Sequence, residues 1–81
     1  MSQQNVFDLI VKHTREVVPE LESHHFLVSD SLRDLGANSV DRAEIIMMTL
    51  ESLAVSIPLA ELAGARNLGE LAGRIHDNSA S

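Results

Sequence analysis

In the run Gly36-Ala37-Asn38-Ser39-Val40-Asp41, a single serine stands where a turn hands over to a long apolar and acidic stretch from Ala43 to Leu53. A hydroxyl at a helix start is exposed, fixed in direction and close to backbone N–H groups that favour a phosphate. Ser39 is therefore read as an attachment site. It is not read as a catalytic nucleophile, because no general base stands nearby at a suitable spacing. Gly-x-x-Ser also misses the Gly-x-Ser-x-Gly nucleophile elbow by one position. A Ser-His-Asp triad assembled from His13, His24, His25 or His76 has no motif behind it. Taken alone, the same serine would be no more than a cap or a first-turn residue.

The remaining polar clusters point to solvent. His24-His25 is a doublet in a predicted loop, and adjacent histidines lack the same-face spacing of a helical metal pair. Asp41 and Glu44 lie three apart on a predicted helix and so near one another, but nothing in the pattern would desolvate them and shift their pKa values. No catalytic residue and no metal site is expected.

The elements that hold Ser39 follow from the apolar spacing. Val6, Phe7, Ile10, Val11, Thr14, Val17 and Val18 recur at helical intervals, which predicts a first helix from about Asn5 to Val18, stopped by Pro19. Glu20 to Ser31 has no sustained period and reads as a long loop with Phe26, Leu27 and Val28 tucked inward. Ser29-Asp30-Ser31 caps a short turn holding Leu32 and Leu35, which Gly36 ends. Asn38 is a good N-cap with Asp41 three residues on, a short-armed capping box that starts the second helix. Ile57-Pro58 closes that segment, a short helical piece follows from Leu59 to Leu62 or Gly64, and a last helix runs from Asn67 or Leu68 to about His76. Its inward residues are Leu68, Leu71, Ala72 and Ile75, and Asp77 to Ser81 is read as a frayed tail.

Projecting Ser39 to Ala54 at about 100° per residue sets Asp41, Glu44 and Glu51 on one side and Ile46, Leu50 and Leu53 on the other, as the core face. Val40, Met47 and Met48 fall on or beside the acidic side. Acids that steer basic partners, mixed with adaptable methionines, suit a docking face. The plainer reading is an apolar-rich helix that spills some residues onto its surface.

At 81 residues the chain has room for one domain. It is 44% hydrophobic but has only two phenylalanines and no Trp or Tyr, so aliphatic residues must fill its core, and packed helices are favoured over a sheet sandwich. Twelve acidic against six basic residues give a net charge of −6, which disfavours nucleic acid and anionic membranes and favours basic partners. Cysteine is absent, so any thiol chemistry must come from an added group. The start, Met1-Ser2-Gln3-Gln4-Asn5, is unlike a signal peptide and no apolar run approaches a membrane span, so a cytoplasmic location is expected.

With Leu32 and Leu35 before the glycine, Glu44 in the second helix, Ile57-Pro58 after it and a Leu-rich last helix, the segment Asp34-Leu35-Gly36-Ala37-Asn38-Ser39-Val40-Asp41 resembles the acyl carrier proteins of fatty acid or polyketide synthesis. The resemblance covers nearly the whole chain and implies a single acyl carrier domain over 1–81, ordered from about 5 to 77. It implies an all-α four-helix bundle with three main helices and a short third one, and a 4′-phosphopantetheine arm on Ser39, taken from coenzyme A, that holds acyl groups as thioesters. By the same likeness Val40, Asp41, Glu44, Met47 and Glu51 belong to the face that partner enzymes read. Met48 and Arg42 are added from their places in the same helix. The implied partners are a phosphopantetheinyl transferase and an acyltransferase, ketosynthase or decarboxylase, with the carrier itself monomeric.

Two residues depart from the commonest family motif. Asn38 replaces an aspartate before the serine and Val40 a leucine after it, while Arg42 puts a positive charge in the recognition helix. The run Asn38-Ser39-Val40-Asp41-Arg42-Ala43-Glu44 is most similar to the donor carriers of polyketide β-branching. Those present an acetyl group, formed from a malonyl unit, to an HMG-CoA-synthase-like enzyme, a role that belongs with antibiotic biosynthesis. The alternatives are a general fatty acid or polyketide carrier, a peptidyl carrier (whose motif more often has Gly-Gly-x-Ser or a histidine beside the serine) and an unmodified helical interaction module.

Overall fold

The computed structural model describes residues 2–79. The first helix, α1, spans Gln3–Val17. It starts earlier than the apolar period predicts because Ser2 caps it, its Oγ accepting the Asn5 N–H at 3.1 Å. Apolar spacing is blind to such a polar first turn. α1 stops before Pro19, which opens a 3₁₀ turn, Pro19–Leu21, inside the segment predicted as loop. The second helix, α2, spans Ser39–Leu53, and the third, α3, spans Leu68–Ser79. α3 runs past His76 through three residues expected to fray. Within it the Asn78 amide donates to the Arg74 carbonyl and the Ser79 hydroxyl to that of His76. The expected tail at Ala80 and Ser81 lies outside the described residues.

The described residues contain no strand, so the all-helical reading holds, but a four-helix bundle does not. Three α-helices are present, and the short third helix expected near Leu59 is a single 3₁₀ turn, Leu59–Glu61. Between Pro58 and Gly64 too few residues remain to offset the cost of nucleating an α-helix.

α1 is the element against which both α2 and α3 pack. The core joins Val6 and Ile10 of α1, Ile45 and Leu50 of α2, Leu62, and the four residues expected of α3, Leu68, Leu71, Ala72 and Ile75. On α2 the predicted core face is rotated. Leu50 is buried, but Ile46 and Leu53 are only partly so, and Ile45 and Thr49 are wholly enclosed. Thr49 is tolerated there because its hydroxyl donates to the Ile45 carbonyl at 2.8 Å, as Thr14 does to Ile10 at 2.6 Å. A buried hydroxyl that is hydrogen-bonded loses most of its desolvation penalty. The predicted core face included neither Ile45 nor Thr49, the two residues that the helix turns fully inward.

The loop after α1 also differs from expectation. Phe26 is buried, yet Leu27 and Val28 are exposed. Their direction is set by the backbone: the Val28 and Asp30 carbonyls accept the Gly69 and Leu68 N–H groups at 2.9 and 2.8 Å, satisfying the first donors of α3. Glycine suits position 69, since a Cβ would stand 3.2 Å from both the Val28 carbonyl oxygen and its Cβ, tighter than an ordinary contact. His24, expected to face solvent with His25, is instead half-buried, edge-on to Phe26 with ring centroids 4.8 Å apart. Arg15 lies over the same ring at 5.3 Å and donates to the His24 carbonyl.

Asp30 fastens this loop. Its Oδ2 accepts the Leu27 N–H at 2.9 Å and lies 3.0 Å from His24 Nε2. These two contacts, the backbone one first, hold its carboxyl below the usual value of 3.8. A carboxylate whose folded pKa is depressed contributes stability that is complete above the unfolded value and is lost as pH falls through the folded one. Thermal unfolding followed between about pH 5 and pH 3 is therefore expected to show a steeper loss for the wild type than for Asp30→Asn, which keeps an acceptor for Leu27 but has no charge to lose. Equal pH slopes would remove Asp30 from the acid response.

Candidate functional site

The turn that delivers Ser39 is built by local chemistry. Ser31 to Leu35 form turns closed by the Leu35 N–H to the Ser31 carbonyl and the Ala37 N–H to the Leu32 carbonyl, both 3.0 Å. Gly36 lies at φ 101, a left-handed conformation that other residues enter at a cost. The chain then enters α2 through a complete capping box. The Asn38 Oδ1 accepts the Asp41 N–H at 2.8 Å, and the Asp41 carboxylate accepts the Asn38 N–H at 3.3 Å. Ser39 is the first helical residue and is exposed. Among the described residues neither its N–H nor that of Val40 donates to a protein acceptor, and the Ser39 hydroxyl has no partner. An accessible hydroxyl beside two open N–H groups at a helix N-terminus fits a phosphodiester, since both the donors and the helix dipole favour negative charge.

A shallow groove begins at that serine. Ser39, Val40, Ala43, Glu44, Met47, Met48 and Glu51 line it along the outer side of α2. Val40 is 71% and Met47 58% exposed, unusual for residues of their type. Of the residues predicted for partner recognition, Val40, Glu44, Met47, Met48 and Glu51 meet here. Asp41 is committed to the capping box instead. Arg42 turns to the opposite flank, its guanidinium donating to the Ala37 carbonyl at 2.7 Å. Ala43 is added to the groove, a residue that charge and hydropathy patterning leave unmarked.

The histidines are not brought to Ser39. His13 is buried between α1 and α2, with Nδ1 2.8 Å from Glu16 Oε1 and Nε2 2.8 Å from Ser52 Oγ. This chain of groups has the connectivity of a serine–histidine–acid relay, but Ser52 lies thirteen positions along α2 from Ser39, roughly 20 Å at helical rise. Its evident consequence is mechanical, since a ring held by Glu16 on its own helix reaches across to Ser52 of α2. No group of three or more His, Asp or Glu side chains among the described residues could hold a metal ion, and no described helix is long and apolar enough to cross a membrane.

The site is thus a three-helix domain that presents one bare hydroxyl at a capped helix start, beside an exposed acidic and apolar groove. Comparison with known proteins supplies the family. A family model described as the phosphopantetheine attachment site matches residues 14–75. The polyketide biosynthesis acyl-carrier-protein AcpK of Bacillus subtilis (strain 168) is 49% identical over 77 residues, covering 95% of this chain and 94% of that protein. A chain in the crystal structure of the curacin biosynthetic pathway HMG synthase in complex with acetyl donor-ACP aligns with a TM-score of 0.89 at 53% identity. The alignment covers 93% of this chain and 96% of that one. The chain belongs to the phosphopantetheine attachment site family, whose cofactor is covalently attached 4′-phosphopantetheine.

Proposed function

We propose that this chain is an acyl carrier of polyketide biosynthesis that holds its acyl group on an arm at Ser39 and acts as the acetyl donor to an HMG-synthase-type enzyme. The observation that carries the reading is the groove on α2 that starts at the exposed Ser39. The polyketide carrier relative and the donor carrier solved with an HMG synthase support it. In the loading step Ser39 Oγ bonds the pantetheine-side phosphorus of coenzyme A as the P–O bond to adenosine 3′,5′-bisphosphate breaks. The serine proton is released to the transferase. Once attached, the arm supplies the thiol that this cysteine-free chain lacks. The protein's own contribution is to keep the hydroxyl bare, place two N–H donors beside the phosphate and offer the groove for docking.

Glu44 and Glu51 give that groove its charge, and Val40 and Met47 give it apolar area to bury. Acidic steering with an adaptable apolar centre suits a partner with basic residues around a hydrophobic patch. The same face would serve a phosphopantetheinyl transferase and an acyltransferase or decarboxylase in turn. A cytoplasmic location goes with these partners.

The test is transfer. The chain, loaded with acetyl-phosphopantetheine from acetyl-coenzyme A, is mixed with an HMG-synthase-type enzyme and an acetoacetyl-loaded acceptor carrier. Intact-protein mass is expected to show the acetyl group leaving this chain and appearing on the acceptor's acyl group. No transfer, with loading complete, would sink the donor reading and leave a general fatty acid or polyketide carrier. Glu44→Lys is expected to lower the transfer rate by about tenfold at low salt, the size of one lost charge-assisted contact of ~1.4 kcal/mol. Its melting temperature stays near that of the wild type, because Glu44 is exposed and makes no ion pair among the described residues. Equal rates at low salt would take Glu44 off the docking surface.

A further inference from the structure

On the flank of α2 opposite the groove lies a cavity of about 550 Å³, walled by the turn before Gly36, by Arg42 and Ile46 of α2, and by the segment from Leu62 to Leu68. Its volume is that of a site for a small organic group. Three of the chain's six basic residues, Arg33, Arg42 and Arg66, line it. In a chain with twelve acids this is a local reversal of charge.

Two of these arginines are electrostatically unanswered. Arg66 is paired with Glu70 at 3.5 Å. Arg33 has neither a hydrogen bond nor an ion pair from its side chain among the described residues. Arg42 is half-buried and bonded only to the Ala37 carbonyl. Asp34 also lines the cavity yet forms no ion pair with either. The N-terminus of α3, which borders the same space, is already used up: Asp30 and Val28 carbonyls and the Asn67 side chain take its first N–H groups. The charged donors available in this cavity are therefore guanidinium groups, whose planar fork matches a carboxylate. The bond from Arg42 to Ala37 fixes the guanidinium against the turn that delivers Ser39, and Arg42 follows Ser39 by three positions on α2.

We propose that this cavity receives the free carboxylate of a short dicarboxylic acyl group, such as malonyl, carried on the Ser39 arm, with Arg33 and Arg42 as its ligands. The inference rests on the carrier reading and adds a specificity to it. A malonyl group is held against the protein by its carboxylate. An acetyl group has no such handle and is left free for transfer. The cavity thereby distinguishes the unit before decarboxylation from the unit after it.

The test uses four forms of the full chain: the apo protein, and the holo, acetyl-loaded and malonyl-loaded proteins made from it with a broad-specificity phosphopantetheinyl transferase and the corresponding coenzyme A derivative, each verified by intact mass. In ¹H–¹⁵N spectra, malonyl loading is expected to shift the Nε–H signals of Arg33 and Arg42 and the amides of 31–34 and 62–67 relative to the acetyl form. In Arg33→Gln/Arg42→Gln the malonyl and acetyl spectra are expected to coincide. Arg33→Gln alone, which breaks no bond in the fold, is expected to reduce the difference and keeps the test decisive if the Arg42 change disturbs the turn. Coincident spectra for wild-type malonyl and acetyl forms, with both masses correct, would overturn the pocket and leave the carrier intact. So would a difference that survives both variants, or signals that move fully on conversion from apo to holo, which would assign the arginines to the arm's phosphate. Absence of any mass gain would overturn the carrier reading itself and this inference with it.

Discussion

Ser39→Ala is expected to remove the modification completely while leaving the fold in place. Incubated with coenzyme A and a broad-specificity phosphopantetheinyl transferase, the wild type gains the mass of one arm and the variant gains none. The structure separates the two roles that the sequence left open for this residue. Capping of α2 belongs to Asn38, whose side chain takes the Asp41 N–H. Ser39 is the first residue inside the helix, exposed and without a hydrogen bond from its hydroxyl. Alanine is the best helix former, so the substitution is expected to move stability by no more than about 0.5 kcal/mol. If Ser39 were only a capping residue, the outcomes would be exchanged: stability would fall by about 1 kcal/mol and no mass would be gained by either protein. Ser52, the hydroxyl at the far end of α2, is held at 2.8 Å by His13. A mass gain that persists in Ser39→Ala would move the attachment site to such a residue and undo the account of the groove.

What the sequence made legible was local. The capping box at Asn38 and Asp41 is a property of four consecutive residues, and it is present as read. The inward face of α3 was legible because its apolar residues keep a clean helical interval with nothing polar among them. Other failures are non-local. Val28 reads as a residue to bury, but its carbonyl is needed at the start of α3, forty-one positions on, and the side chain is carried outward with the backbone. His13 lies outside the apolar period of α1, yet a partner on another helix makes its burial tolerable. No periodicity carries that information, because it lies in a pair of residues rather than in a run. The same holds for the cation-lined cavity. Arg33, Arg42 and Arg66 are scattered in the chain and come together only when the segment after α2 folds back over its flank.

Ile45→Ala is expected to cost about 2–5 kcal/mol, measured as the shift in urea-unfolding free energy. That is a large share of what a domain of this size holds, since total stabilities of ~5–15 kcal/mol are usual and small domains fall at the low end. Ile45 is fully enclosed and is a member of the core shared with α1. Ile46, its neighbour, is only partly buried and borders the cavity where the remaining space is already open. Ile46→Ala is therefore expected to cost less than Ile45→Ala by about 1 kcal/mol or more, because less apolar area returns to water and less new void is made. The comparison is more informative than either value, since adjacent residues on a helix point about 100° apart. It thus reports the rotation of α2 about its own axis. A larger cost at Ile46 would mean that the helix is turned toward the face that patterning alone suggested, with Ile46, Leu50 and Leu53 inward. Such a turn would swing Val40 and Met47 around the helix, and the docking groove and the arginine cavity would no longer lie on the two flanks of Ser39. The placement of one isoleucine in the core is in this way a condition for the arrangement of both functional surfaces.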